Sequence, residues 1–294
     1  MANIVERPIF IIGTGRCGTT LMFNLLHVHP ELGWPSQHMV QRFYDRYDRW
    51  QGRLSRLPII GRFAQHRKHH RSFHEPYDLW RQFDPGFNRP CRDLRAEDVT
   101  STTRNGMLSA VEEQLIDMDK KRFITKYTGW SRIQYVDNIF PDALYLHVIR
   151  DGRAVAASLL TQSWWHGWQG PNQWRWGALS PEHKTIWQSS EQSFFVLAGL
   201  QWKILMENIR EAGMTIGNRY REVRYEDIIA NPESVFSSLL EWGDLVSDPF
   251  FLSHIRNAVY HNANEKWRTQ IHQSEIERFE TLLAPALAMF GYAE

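Results

Sequence analysis

Short apolar runs alternate along the chain with stretches of helical spacing. Ile9 to Ile12 is apolar throughout, stops at Gly13 and predicts a buried parallel strand. From Thr19, "TTLMFNLLHVHP" repeats its apolar residues at helical spacing, and Pro30 should stop that helix near His29. "RFITKY" (Arg122 to Tyr127) and "ALYLHVIR" (Ala143 to Arg150) predict two further strands, and "RDGRAVAASLL" opens a helix after the second. "YREVRYEDI" holds a strand ending near Arg224. In "ANPESVFSSLLEWG", Asn231 is an N-cap candidate, Pro232 sits at the first helical position and Gly243 ends the helix. Ser274 and Glu277 stand in capping-box spacing at the start of the last helix. Alternating strands and helices predict an α/β fold: a P-loop-like central parallel sheet flanked by helices, in a single domain over residues 1–294.

Two stretches break the alternation. Residues 33–105 are rich in Arg, His, Trp and Pro, and residues 162–188 hold six tryptophans from Trp164 to Trp187. Both read as insertions over the binding face, where α/β sheets place their site-building loops. The tryptophans either line a pocket for a sugar, an aromatic or a lipid-like acceptor, or form a core beneath a long loop; the pattern leaves both open.

Composition narrows the partners. Net charge is +1, so no global field recruits nucleic acid or membrane, and an anion site must be local. Two cysteines, Cys17 and Cys91, make no disulfide framework and fit a reducing compartment. The first apolar run is too short for a signal-peptide core or a membrane span, and the chain reads as cytoplasmic. His66, His69, His70 and His74 have spacings compatible with a metal site, but no cysteine or paired carboxylate completes one, and a solvated basic turn is the better reading; no metal is expected.

The chemistry concentrates after the first strand. "GTGRCGTT" has the glycine spacing of a phosphate loop, Gly13 to Gly18, yet Thr19 stands where nucleotide-hydrolysing loops carry lysine. Gly15 and Gly18 free the backbone, N–H groups at the helix start face an anion, Thr19 and Thr20 add hydroxyls, and Arg16 is the nearest cation. A thiol beside such N–H groups predicts a lowered pKa and a reactive Cys17. In "YLHVIRDGRAVAAS", Arg150 ends a strand and faces the ligand crevice, with Ser158 about two helical turns on. Arg150 either forks onto a phosphate or pairs with a carboxylate such as Asp151.

With these residues in view, the chain resembles the sulfotransferases that use 3'-phosphoadenosine 5'-phosphosulfate (PAPS) and release PAP, closest to their bacterial and tyrosylprotein-like branch. "GTGRCGTTL" is similar to their 5'-phosphosulfate loop and "HVIRDGRAVAASL" to their 3'-phosphate motif. The likeness continues in "FITKYTGW", "VRYEDIIANPE" and "KWRTQI", and misses the two insertions. It implies that Gly15, Arg16, Cys17, Gly18, Thr19 and Thr20 hold the 5' side of PAPS and that Arg150 and Ser158 hold the 3'-phosphate. It further implies that Tyr225 lies near the adenosine, that Lys266 and Arg268 close over the nucleotide, and that Lys126 with Arg16 stabilises the transferring group. Related branches use a histidine or a glutamate as base. Here "GWPSQHMV" lacks the glutamate, so His38 is the candidate, with Glu75 or another insertion residue as the alternative. The rival readings are a magnesium-dependent phosphoryl-transfer enzyme, against which Thr19 speaks, and a non-catalytic nucleotide- or polyanion-binding protein.

Overall fold

In the computed structural model, which describes residues 5–36, 39, 75–88 and 91–293, the strands form one parallel sheet. β1 (Ile9–Gly13) leads into α1 (Thr19–Leu26) and a two-residue strand, β2 (Leu32–Gly33). Next come α2 (Tyr77–Phe83), α3 (Ser101–Met118), β3 (Arg122–Thr128), α4 (Ile133–Ile139) and β4 (Leu144–Ile149). α5 (Gly152–Leu160), α6 (Pro181–Ser189) and α7 (Phe194–Met214) precede β5 (Tyr220–Arg224). The chain then folds α8 (Tyr225–Ala230), α9 (Pro232–Gly243), α10 (Pro249–Asn257), α11 (Trp267–Gln270) and α12 (Gln273–Met289). β2 is too short to leave an apolar run of its own, and the sequence pattern misses it.

The strand order is β2-β3-β1-β4-β5. β1 lies at the centre, with Ile11 beside Lys126 of β3 and Ile12 beside His147 of β4. Its alternate residues feed two apolar layers. Ile9 and Ile11 pack with Met22 and Phe23 of α1, while Phe10 and Ile12 pack with Phe123, Tyr127 and Tyr145. A strand buried on both faces must be apolar throughout, as β1 is. From β1 the chain turns to β2 and β3 on one side, then crosses to β4 and β5 on the other. The carboxyl ends of β1 and β4 therefore border the crevice where such sheets bind ligands.

Two element ends differ from the sequence reading, and a third, at Gly243, falls where it was expected. α1 stops at Leu26, before His29, because His27 Nδ1 turns back to the carbonyls of Phe23 and Asn24 at 3.1 Å each. Gly243 is the last residue of α9, and the left-handed position falls on Asp244 (φ 54°). The last helix is capped by His272, whose Nδ1 accepts the Ser274 N–H at 3.3 Å; Ser274 lies inside the helix and forms no capping box.

Between β4, β5 and α7 lies a buried polar network. Tyr220 gives its proton to Glu222 Oε1 at 2.7 Å, and Arg210 grips the same carboxylate at 2.8 and 2.6 Å. With the phenol proton so used, His147 Nδ1 must be the donor to the Tyr220 oxygen, 2.7 Å away. Nε2 is then a bare lone pair, buried without a partner among the described residues. Burial pushes the His147 pKa down, so the folded protein holds it neutral. In the unfolded chain it takes up a proton below about 6.5. The unfolded state thus binds more protons, and stability falls as pH drops through that value. Urea denaturation at pH 7.5 to 5.5 should show this loss, and His147→Leu should flatten it; an unchanged slope in the variant means that His147 is not buried neutral.

Candidate functional site

The turn after β1 is left-handed three times in four residues: Gly15 (φ 82°), Arg16 (φ 58°) and Gly18 (φ 102°). For Arg16 this costs about 1–2 kcal/mol, a strain of the kind that marks ligand-binding turns. Gly18 is required twice over. A Cβ there would stand 2.5 Å from Tyr225 Cδ2, so the tyrosine ring packs flush on the loop.

Arg150 lies over that ring, its guanidinium 4.3 Å from the centroid. It is buried and donates to three neutral acceptors: the Arg16 carbonyl at 3.0 Å, the Ala263 carbonyl at 2.8 Å and Asn264 Oδ1 at 3.0 Å. The alternative partner Asp151 is taken by Arg153, which forks onto it and reaches Glu280. Among the described residues no carboxylate pairs with Arg150. Ser158 accepts from Arg16 Nε at 2.9 Å, so Arg16 ties the loop to the last turn of α5. Tyr225 donates to the His261 carbonyl at 3.0 Å. Lys266 and Arg268 are exposed, Arg268 beside Glu265 at 2.5 Å and over the Trp267 ring at 4.4 Å.

On the opposite side of Arg16 opens a cavity of about 450 Å³. It is lined by Gly15, Arg16, Thr19 and Thr20 of the loop and by Lys126 of β3. Lys126 is buried, and its Nζ meets Glu75 Oε1 at 2.6 Å. Thr128 Oγ1 donates to the same oxygen at 3.3 Å, and Tyr77 is bound to the Thr128 backbone, donating to its carbonyl at 3.1 Å and accepting its N–H at 2.8 Å. Burial and the Glu75 charge push Tyr77 up to about 12, which keeps it a neutral hydrogen-bonding phenol. Arg132, Trp164, Arg175, Trp176 and Gln201 complete the wall. The missing loop lysine thus has a substitute: the cation comes sideways from the neighbouring strand, where register places Lys126 beside Ile11.

Of the residues singled out in the sequence, the structure gathers Gly15, Arg16, Thr19, Thr20 and Lys126 in the cavity. It sets Arg150, Ser158 and Tyr225 in the crevice behind Arg16. His38 and the histidines at 66, 69, 70 and 74 lie outside the described residues. Among the described residues no cluster of metal-ligating side chains occurs, and no helix is long and apolar enough to cross a membrane. Thr128, Arg132 and Gln201 escaped the sequence reading. Only Thr128 had a signal, its place at a strand end just before a glycine.

Cys17 is a correction. Its side chain turns inward beneath Gly13, into the apolar layer, and burial pushes the thiol pKa up. The backbone N–H groups around it lower the pKa less than burial raises it. Iodoacetamide at pH 8 should therefore modify exposed Cys91 and spare Cys17 until denaturant is added, as read by peptide mass spectrometry. Equal rates in the folded protein would reinstate an activated thiol.

Comparison with known proteins agrees with this geometry. The family model described as "Sulfotransferase family" matches residues 8–249. The sulfotransferase STF9 from Mycobacterium avium is 17% identical, with a TM-score of 0.55, over 99% of this chain and 78% of that one. STF1 from Mycobacterium tuberculosis H37Rv is 16% identical, also with a TM-score of 0.55, over 94% and 77%. At these identities the two structures share the fold. No curated protein matches the sequence significantly. The chain belongs to the sulfotransferase family, enzymes of sulfuryl transfer.

Proposed function

We propose that the crevice and the cavity hold PAPS end to end, and that Glu75 is the base for transfer of its sulfuryl group to an acceptor hydroxyl. One observation carries this reading: the 2.6 Å contact of Lys126 and Glu75 beside the loop. It sets a fixed cation and a carboxylate together where leaving oxygen and acceptor must meet.

The residues fit the donor at both ends. Loop N–H groups, Thr19, Thr20 and Arg16 suit the phosphosulfate. Arg150 and Ser158 suit the 3'-phosphate. The partners of Arg150 are neutral, so a phosphate can take the places of Asn264 and Ala263 without breaking an ion pair. Tyr225 borders the adenosine, and Lys266 and Arg268 close over it. Cys17 contributes its backbone alone.

The mechanism follows from charge. As the acceptor oxygen bonds to sulfur, its proton passes to Glu75. The bridging S–O bond breaks, and its electron pair stays on the departing PAP. Lys126 and Arg16 stabilise the charge that grows there.

Glu75→Gln should lower kcat about a hundredfold or more, since the amide cannot take a proton, and should remove the acidic limb of the pH–rate profile. His38→Ala should retain near-normal turnover; the reverse pattern assigns the base to His38. Lys126→Ala should lower kcat about a hundredfold or more with little change in PAP affinity. Arg150→Ala should weaken PAP about tenfold to a hundredfold and leave AMP nearly unchanged, because only PAP carries the 3'-phosphate. Calorimetric titration with both nucleotides decides it, and equal losses for the two would remove Arg150 from the 3'-phosphate.

A further inference from the structure

Four of the five tryptophans between α5 and α6 divide into two pairs; the fifth, Trp168, is exposed, meets Trp165 edge-on at 5.2 Å and lies outside the cavity wall. Trp165 and Trp174 are buried, Trp165 Nε1 donating to Gln201 Oε1 at 2.8 Å and Trp174 Nε1 to the Gly177 carbonyl at 2.6 Å. They pin the loop. Trp164 and Trp176 stand next to them in the chain and line the cavity instead. Trp176 is set in place: its ring lies against Gly129 (φ 100°), where a Cβ would come within 2.9 Å, and meets Trp130 edge-on at 6.4 Å. Trp164 is 52% exposed, an indole left in water at the rim. The loop thus buries two indoles and sets two others, Trp164 and Trp176, on the cavity wall.

The rest of that wall is polar. Glu75, Thr128, Arg132 and Gln201 all reach it. Gln201 is itself buried, and with Oε1 engaged by Trp165 it keeps its NH2 to donate. A sterol or an aliphatic alcohol filling this space would strip water from these groups and return no hydrogen bonds. An acceptor with an apolar face and hydroxyls around its edge satisfies both halves of the wall.

We infer that the acceptor is a carbohydrate, a pyranose ring laid against Trp176 and Trp164. Its hydroxyls bond Arg132, Gln201 and Thr128, and one of them points to Glu75. This rests on the reading of the cavity as the transfer site. In the transfer that hydroxyl loses its proton to Glu75, its oxygen bonds to the sulfur, and PAP leaves with the electron pair of the broken S–O bond.

The full chain with PAP is applied to an array of immobilised glycans and titrated, with tryptophan fluorescence as the readout, against methyl glucoside, glucuronic acid, decanol and cholesterol. Binding to glycans, with decanol and cholesterol silent, is the expected result. Trp176→Ala and Trp164→Ala should each weaken glycan binding about tenfold or more, as truncating a buried aromatic contact does. Trp176→Phe should recover most of the loss. In all three variants PAP should still raise the melting temperature as it does in the parent. If PAP stabilises the chain while decanol or cholesterol binds and no glycan does, or while none of these probes binds, the carbohydrate assignment is overturned and the donor site stands. If PAP does not stabilise the chain, the donor reading itself fails, and the inference with it.

Discussion

One hydrogen bond organises the binding end of the molecule: Arg150 Nη1 to the carbonyl of Arg16, 3.0 Å. The carbonyl belongs to a residue held in the left-handed region, and the guanidinium belongs to the residue just after β4, a strand that is not the loop's own. The bond fastens the turn after β1 to the end of β4 across the crevice. Tyr225 reinforces it, packed against Gly18 and under the guanidinium. A buried cation over an aromatic face is worth about 2 kcal/mol, of the same order as the strain at Arg16. The turn after β1 and the end of β4 are therefore held to each other through Arg150 and Tyr225.

Electrostatics in this region depends on which arginine meets which acid. Arg150 and Arg153 are three residues apart, both buried, and only Arg153 is neutralised. Arg153 forks onto Asp151 and reaches Glu280, which fixes α5 to α12. With Asp151 thus occupied, Arg150 among the described residues donates directly to neutral oxygens alone. A carboxylate on Arg150 would compete directly with phosphate. Burying a cation without a direct counter-ion is expensive, and here it is tolerated where an anionic ligand can supply the compensation.

How far the sequence could be read follows from the range of each contact. The loop, Arg150 and four of the strands were legible because a strand, its turn and the next helix are local patterns. Asp151 beside Arg150 was a plausible pair by proximity, and only the packing of α5 shows that Arg153 claims it. The meeting of Lys126 with Glu75 joins residues 51 positions apart, and periodicity does not encode it. Cys17 was placed correctly at the helix start, but its direction depends on the space beneath Gly13, which a linear pattern does not contain. The six tryptophans left open whether they line a pocket or form a core beneath the loop. Which of them turn inward was decided by Gln201 and Gly129, both remote from them in sequence.

The central place of β1 in the sheet has a consequence for how the chain assembles. Ile9 pairs with Ile124 on one side and with Leu144 on the other. During synthesis this apolar strand therefore emerges first and waits while more than a hundred residues are added before either edge is covered. Loops of that length make the closing contacts slow, and at roughly 5–20 residues per second the exposed edge persists for several seconds. The strand that carries the loop thus stays unpaired on the ribosome until β3 and β4 have been made.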